Sequence, residues 1–77
     1  MQHYYRIRPV HAPVKHARIE SYPTYEAAMV RIEELIYTVQ LDHTADHLEY
    51  DVDLMSVSPH STFIHKVATR TWSRDYE

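Results

Sequence analysis

Two histidines and five carboxylates fall within the thirteen residues LDHTADHLEYDVD, which run from Leu41 to Asp53. Imidazole nitrogens and carboxylate oxygens are ligands that zinc uses in proteins. His43 and His47 are four residues apart, so they would share one face of a helix. However, the pair lies between a predicted helix and a predicted strand, and it lacks the glutamate of the H-E-x-x-H signature. Solvated loop histidines are therefore the main interpretation, and a metal site using His43 and His47 is an alternative.

The second half of this stretch alternates acidic and apolar residues. Glu49, Asp51 and Asp53 would lie on one face of a β-strand, because successive side chains of a strand point to opposite faces. Such a row could be a catalytic carboxylate pair, an acidic contact surface for another protein, or the solvated outer face of a sheet. We favour the solvated face, partly neutralised by bases on a neighbouring strand. The contact surface stays open as an alternative.

The N-terminal segment has the opposite charge. Residues 1–18 carry four bases and no acid, whereas residues 19–53 carry nine acids and one base. Tyr4, Arg6 and Arg8 share one face of a predicted strand, and such aromatic and basic side chains can bind single-stranded nucleic acid. The net charge of −3 argues against this function, because nucleic-acid-binding domains are usually basic. The competing interpretation is that Arg6 and Arg8 pair with acids on a neighbouring strand.

Composition excludes several classes of functional site. The chain has no cysteine and no glycine, so it has no disulfide, no thiolate metal site and no glycine-rich phosphate loop. The serines beside His60 lie in a stretch typical of a turn and form no recognisable nucleophilic group. We therefore expect no enzymatic activity and no cofactor. No segment has the pattern of a signal peptide or a membrane span, and we expect a cytoplasmic protein.

The stretch TYEAAMVRIEELIYTVQ predicts a helix over residues 24–40, with Thr24 as the N-cap. Its apolar residues recur at helical spacing and form one broad face for the core. Val30 and Tyr37 lie on the opposite side, two turns apart, with Glu33 and Glu34 beside them. An apolar pair with a charged rim is typical of a modest protein contact. The alternatives are that the segment around residues 10–20 covers this pair, or that the pair is plain surface.

The remaining elements are predicted strands. HYYRIRPV is a strand that ends at Pro9, and residues 15–20 form a weaker candidate. HLEYDVDLMSV and STFIHKVATRTW flank the turn sequence SPHS and predict a hairpin. Its expected register pairs Val57 with Thr62, Leu54 with His65, Asp53 with Lys66, Val52 with Val67 and Glu49 with Arg70. This register places acids opposite bases on one face and mostly apolar residues on the other.

Together these elements predict one α+β domain over residues 1–77. A small, mainly antiparallel sheet of three or four strands, in the order β-(β)-α-β-β, would carry the helix on one face as a two-layer sandwich. The expected core consists of Tyr5, Ile7, Ile19, Met29, Ile32, Ile36, Val39, Leu48, Tyr50, Val52, Leu54, Phe63 and Val67. A domain this small buries a limited core, so association with another chain would help to stabilise it.

In size and composition the chain resembles the small, cysteine-free, tyrosine-rich acidic proteins with which phages and mobile elements block host machinery, such as anti-CRISPR and anti-restriction proteins. This resemblance implies an inhibitor that occludes a surface of a host protein. The leading hypothesis is therefore a non-enzymatic protein-binding module whose partner is a host protein or a second copy of itself. Its candidate contacts are Val30, Glu33, Glu34, Tyr37, Glu49, Asp51 and Asp53. The alternatives are nucleic-acid binding by Tyr4, Arg6 and Arg8, and metal binding by His43 and His47.

Overall fold

The computed structural model describes residues 2–75, which form four strands and one long helix. The elements are β1 (Gln2–His11), a short 3-10 helix (Val14–His16), β2 (Glu20–Tyr22), α1 (Tyr25–Asp42), β3 (His47–Ser58) and β4 (Ser61–Ser73). The strands form one antiparallel sheet in the order β2-β1-β3-β4. With α1 packed on one face, this is the expected two-layer α+β fold. The weak strand candidate over residues 15–20 is displaced towards the C-terminus, because β2 covers Glu20–Tyr22.

The predicted helix is present and is capped at both ends. The side chain of Thr24 accepts a hydrogen bond from the backbone N–H of Ala27 at 3.1 Å, which satisfies one of the free donors in the first turn. At the other end His43 adopts a left-handed conformation with φ 53°, and its N–H donates to the carbonyl of Val39 at 3.0 Å. Histidine takes this cap position in a chain that has no glycine. No helix within residues 2–75 combines the length and apolar character needed to cross a membrane.

The core lies between the inner face of α1 and one half of the sheet. The fully or almost fully buried residues of this cluster are Ile7, Ala28, Ile32, Leu35, Ile36, Val39, Leu48, Tyr50 and Val52. Tyr50 is the residue of this cluster with a polar side-chain group. Its hydroxyl donates a hydrogen bond to the backbone carbonyl of His16 at 2.9 Å. This bond ties the segment between β1 and β2 to the centre of the sheet.

Three residues expected in the core are exposed instead: Ile19, Phe63 and Val67. Ile19 precedes β2 outside the layer interface, and the other two lie on β4. Val67 is the unpaired residue where the register of β4 shifts. Phe63 lies near the hairpin turn, and its exposure follows from length: α1 has 18 residues and spans about 27 Å, whereas β4 has 13 residues and spans about 43 Å. The hairpin therefore extends beyond the helix, which fits the elongated dimensions of 50 × 20 × 19 Å.

The hairpin register is confirmed near the turn and wrong beyond it. Val57 pairs with Thr62, Leu54 with His65 and Asp53 with Lys66, as expected. The register then shifts between Val52 and Asp53, so that Val52 lies opposite Ala68 rather than Val67. A bulge of this kind inserts one extra residue into one strand and reverses the facing of every side chain beyond it.

The bulge moves Arg70 to the helix side of the sheet. Arg70 pairs with Tyr50, whereas Glu49 pairs with Thr71, so the predicted contact between Glu49 and Arg70 is wrong. From its new position the Nε of Arg70 reaches the carboxylate of Glu33 on α1 at 2.7 Å. The bulge thus converts a predicted contact between strands into a contact between layers.

Candidate functional site

The outward side of α1 carries a candidate surface for binding another molecule. Met29, Val30, Glu33, Glu34 and Tyr37 line an open groove of about 450 Å³; we call it the helix groove. Val30 is 58% exposed and Tyr37 is 62% exposed. Four of these five residues were selected from the sequence as candidate contacts.

Helical periodicity explains why this groove is left uncovered. The buried residues of α1 all face the sheet, and Val30 and Tyr37 are two turns apart on the opposite side. The segment between β1 and β2 does not pack over them, because its large apolar residues, Val14 and Ile19, are themselves 94% and 58% exposed. The alternative that residues 10–20 cover the pair is therefore wrong.

Ion pairs hold the acidic rim of the helix groove in place. The carboxylate of Glu33 accepts from Arg70 at 2.7 Å, and that of Glu34 lies 3.6 Å from Arg31. Both glutamates stay more than half exposed, so these pairs are screened by solvent and contribute little to stability. The rim therefore keeps acidic oxygens that a partner can reach.

Arg31 is anchored on its other side by β2. Its Nε donates to the carboxylate of Glu20 at 2.9 Å, and the hydroxyl of Tyr22 donates to the same carboxylate at 2.5 Å. The hydrogen bond from Arg31 lowers the pKa of Glu20. Burial, together with the bond to Glu20, raises the pKa of Tyr22 to about 12. Tyr22 therefore stays protonated at neutral pH, and the whole group fixes Arg31 beside Glu34.

Asp51 and Asp53, two of the three acidic residues in the row on β3, are buried and not exposed to a partner. Asp53 is 0% exposed, and it accepts from Arg6 at 2.8 Å and from Arg8 at 3.1 Å. Asp51 is also buried and accepts from Arg8 at 3.0 Å and from the hydroxyl of Thr69 at 2.7 Å. Asp51 and Asp53 therefore cannot serve as an acidic contact surface. Only Glu49 of this row is partly exposed.

Asp51 and Asp53 lie on the sheet face that α1 does not cover. They are buried there because of the way β1 pairs with β3. Arg6 lies opposite Asp53 and Arg8 lies opposite Asp51, and the long stems of the two arginines cover the shorter carboxylates. The neutralising bases are therefore Arg6 and Arg8, not Lys66 and Arg70 as expected. Burial opposes ionisation of Asp53, but the hydrogen bonds from Arg8 and Arg6 outweigh it and lower the pKa of this carboxyl.

The same contacts bear on nucleic-acid binding. The guanidinium groups of Arg6 and Arg8 are engaged by carboxylates, as the competing interpretation expected, and the hydrogen bond to Asp53 raises the pKa of Arg8. Tyr4 beside them is half-buried. A phosphate group that bound Nε of either arginine would have to displace Asp53.

The two histidines of the opening stretch serve different local roles. His43 ends α1, whereas His47 begins β3, where its ring lies 4.9 Å from the ring of His11, centroid to centroid. Across residues 2–75, no three histidine, aspartate or glutamate side chains are grouped so that they could hold a metal ion. The sequence analysis missed His11, because its proximity to His47 depends on the pairing of β1 with β3.

Comparison with known proteins gives no functional lead: no protein-family model, no curated protein and no solved structure matches this chain.

Proposed function

We propose that this protein is a non-enzymatic protein-binding module and that it contacts its partner through the helix groove. The supporting observation is the pair of exposed apolar side chains, Val30 and Tyr37, beside two acidic residues on a helix side that the core does not use. Tyrosine is enriched among the residues that dominate binding energy, because it brings a large ring and a hydroxyl for the wet edge of an interface.

The charge of the groove indicates the chemistry of the partner. Glu33 and Glu34 flank the apolar floor, so a complementary surface would place an apolar side chain on Val30 and Tyr37 and a lysine or arginine near each glutamate. Opposite charges at the rim of an interface steer association and select the partner. Such a surface could belong to a cytoplasmic host protein, which the bound module would then occlude and inhibit, or to a second copy of this chain.

We expect Val30→Asp to weaken partner binding by at least about tenfold, because the new carboxylate must be desolvated beside Glu33 and Glu34. Thermal stability should change little, since Val30 is 58% exposed and substitutions at such positions usually have small effects. The measurement is quantitative capture of partners from cells that make the protein, combined with sedimentation to detect self-association.

Val14→Asp is the matched control, because it makes the same chemical change at another exposed valine, away from the groove. It should leave both capture and sedimentation unchanged. Equal behaviour of the two variants in both assays would contradict the proposal. Unfolding by Val30→Asp alone would show instead that this residue packs in the core.

A further inference from the structure

We propose that His11 and His47 form a binding site for a zinc-like divalent metal ion on the sheet face opposite α1. The two residues come from adjacent antiparallel strands, β1 and β3. This site is independent of the helix groove. It also differs from the pair of histidines that the sequence suggested, because His11 takes the place of His43.

The distance between the two rings suits a shared ion. Their centroids are 4.9 Å apart and the ring planes are inclined at 45°. Zinc binds an imidazole nitrogen at about 2.0–2.1 Å, which places the ring centroid roughly 3.2 Å from the metal. Two such rings at a tetrahedral angle would have centroids about 5 Å apart. The observed separation of the ring centroids is therefore close to that of two imidazoles bound to one ion.

A hydrogen bond already orients one of the ligands. Nδ1 of His47 lies 3.3 Å from the hydroxyl oxygen of Ser73 on β4. If Nδ1 carries the proton and donates it to Ser73, Nε2 keeps its lone pair for a metal. Histidines that bind metals usually donate their other ring N–H to an oxygen in this way, which fixes the tautomer and the ring orientation. Ser73 would thus be a positioning residue for His47.

The site is open to solvent and can accept further ligands. His11 is exposed, so an ion can enter directly from water. Glu49 is the backbone partner of His11 in the sheet, but its carboxylate is not grouped with the two rings as a third ligand within residues 2–75. We therefore expect two imidazoles, with water completing the tetrahedron, and a weaker affinity than that of a closed structural site with four protein ligands.

The test is a titration with zinc chloride, followed by the ring resonances of all seven histidines and by calorimetry. The wild-type protein should bind one equivalent, with the largest resonance changes at His11 and His47. His11→Ala and His47→Ala should each weaken binding by at least about tenfold, whereas His43→Ala should leave it unchanged.

Two results would overturn the proposal. One is the absence of calorimetric binding together with unchanged resonances of His11 and His47 in the wild-type protein. The other is binding that His43→Ala weakens as strongly as His47→Ala does. The wild-type resonances decide the matter even if a variant fails to fold.

Discussion

Replacing Asp53 by alanine should lower the free energy of unfolding by about 2–4 kcal/mol, because it leaves Arg6 and Arg8 without their shared buried partner. Asp53 is 0% exposed, and both guanidinium groups donate to it. Breaking a buried ion pair is costly mainly because the remaining charge stays partly desolvated. Breaking a buried ion pair can cost up to about 5 kcal/mol. We expect a smaller loss here, because Arg8 is partly exposed and its charge can recover some hydration. Urea denaturation followed by circular dichroism measures the change.

Asp46→Ala is the matched control for this experiment. Asp46 also binds an arginine, Arg74, at 3.3 Å, but its side chain is 72% exposed. An exposed pair contributes about 0–1 kcal/mol, so the loss should be much smaller than for Asp53→Ala. Equal losses for the two variants would contradict the burial of Asp53.

The pH dependence gives a second test of the same contact. Folding lowers the pKa of Asp53, so its ionised form stabilises the fold fully above the ordinary aspartate pKa of about 4. This contribution is lost as the pH falls from there through the lowered pKa of the folded state. The difference in stability between wild type and Asp53→Ala should therefore shrink below about pH 4.

Tyr50→Ala should have the largest effect, a loss of about 3–5 kcal/mol in the free energy of unfolding. Tyr50 is fully buried at the centre of the core cluster, so truncation leaves a ring-sized cavity. It also removes the hydroxyl that donates to the carbonyl of His16. A domain of this size has a stability of roughly 4–12 kcal/mol in total, so the variant should be partly unfolded at moderate temperature. Thermal and urea denaturation both report this loss.

Tyr50→Phe separates the two contributions, because it keeps the ring and removes the hydroxyl. Its expected cost is about 1 kcal/mol, the typical net value of one hydrogen bond. If Tyr50→Phe were as destabilising as Tyr50→Ala, the hydrogen bond to His16 rather than the packing of the ring would dominate at this position.

The sequence predicted those features of the fold that depend on local pattern. The period and cap of α1 are local, and so is the turn that sets the pairing of Val57 with Thr62. The bulge was not predictable in this way. Bulges are often marked by glycine, and this chain has none. The extra residue at Val67 therefore has no recognisable signal in the sequence. Because of it, Arg70 pairs with Tyr50 instead of Glu49.

The order of the strands was the second missing piece of information. The bases Arg6 and Arg8 have the same two-residue spacing as the acids Asp51 and Asp53, and that match could have indicated the pairing of β1 with β3. Strand pairing between distant segments has no local signature in the sequence. Lys66 and Arg70 also offered opposite charges to the acids of β3, and this favoured β4 over β1 as the source of the neutralising bases. The same missing order concealed the contact between His11 and His47. Most of the helix groove was predictable because helical spacing separates Val30, Glu33, Glu34 and Tyr37 from the core, whereas Met29, expected in the core, is only partly buried and also lines the groove.

The central claim, that the helix groove binds a partner protein, is tested most directly by Tyr37→Ala. Phe63→Ala is the control, because Phe63 is an aromatic residue of similar exposure, 64%, that lies on β4 outside the groove. For each variant the affinity for the captured partner, or the self-association constant, is compared with thermal stability. We expect Tyr37→Ala to weaken binding by about 1–3 kcal/mol with little loss of stability, and Phe63→Ala to change neither quantity. Unchanged binding by Tyr37→Ala, or an equal loss in both variants, would contradict the claim.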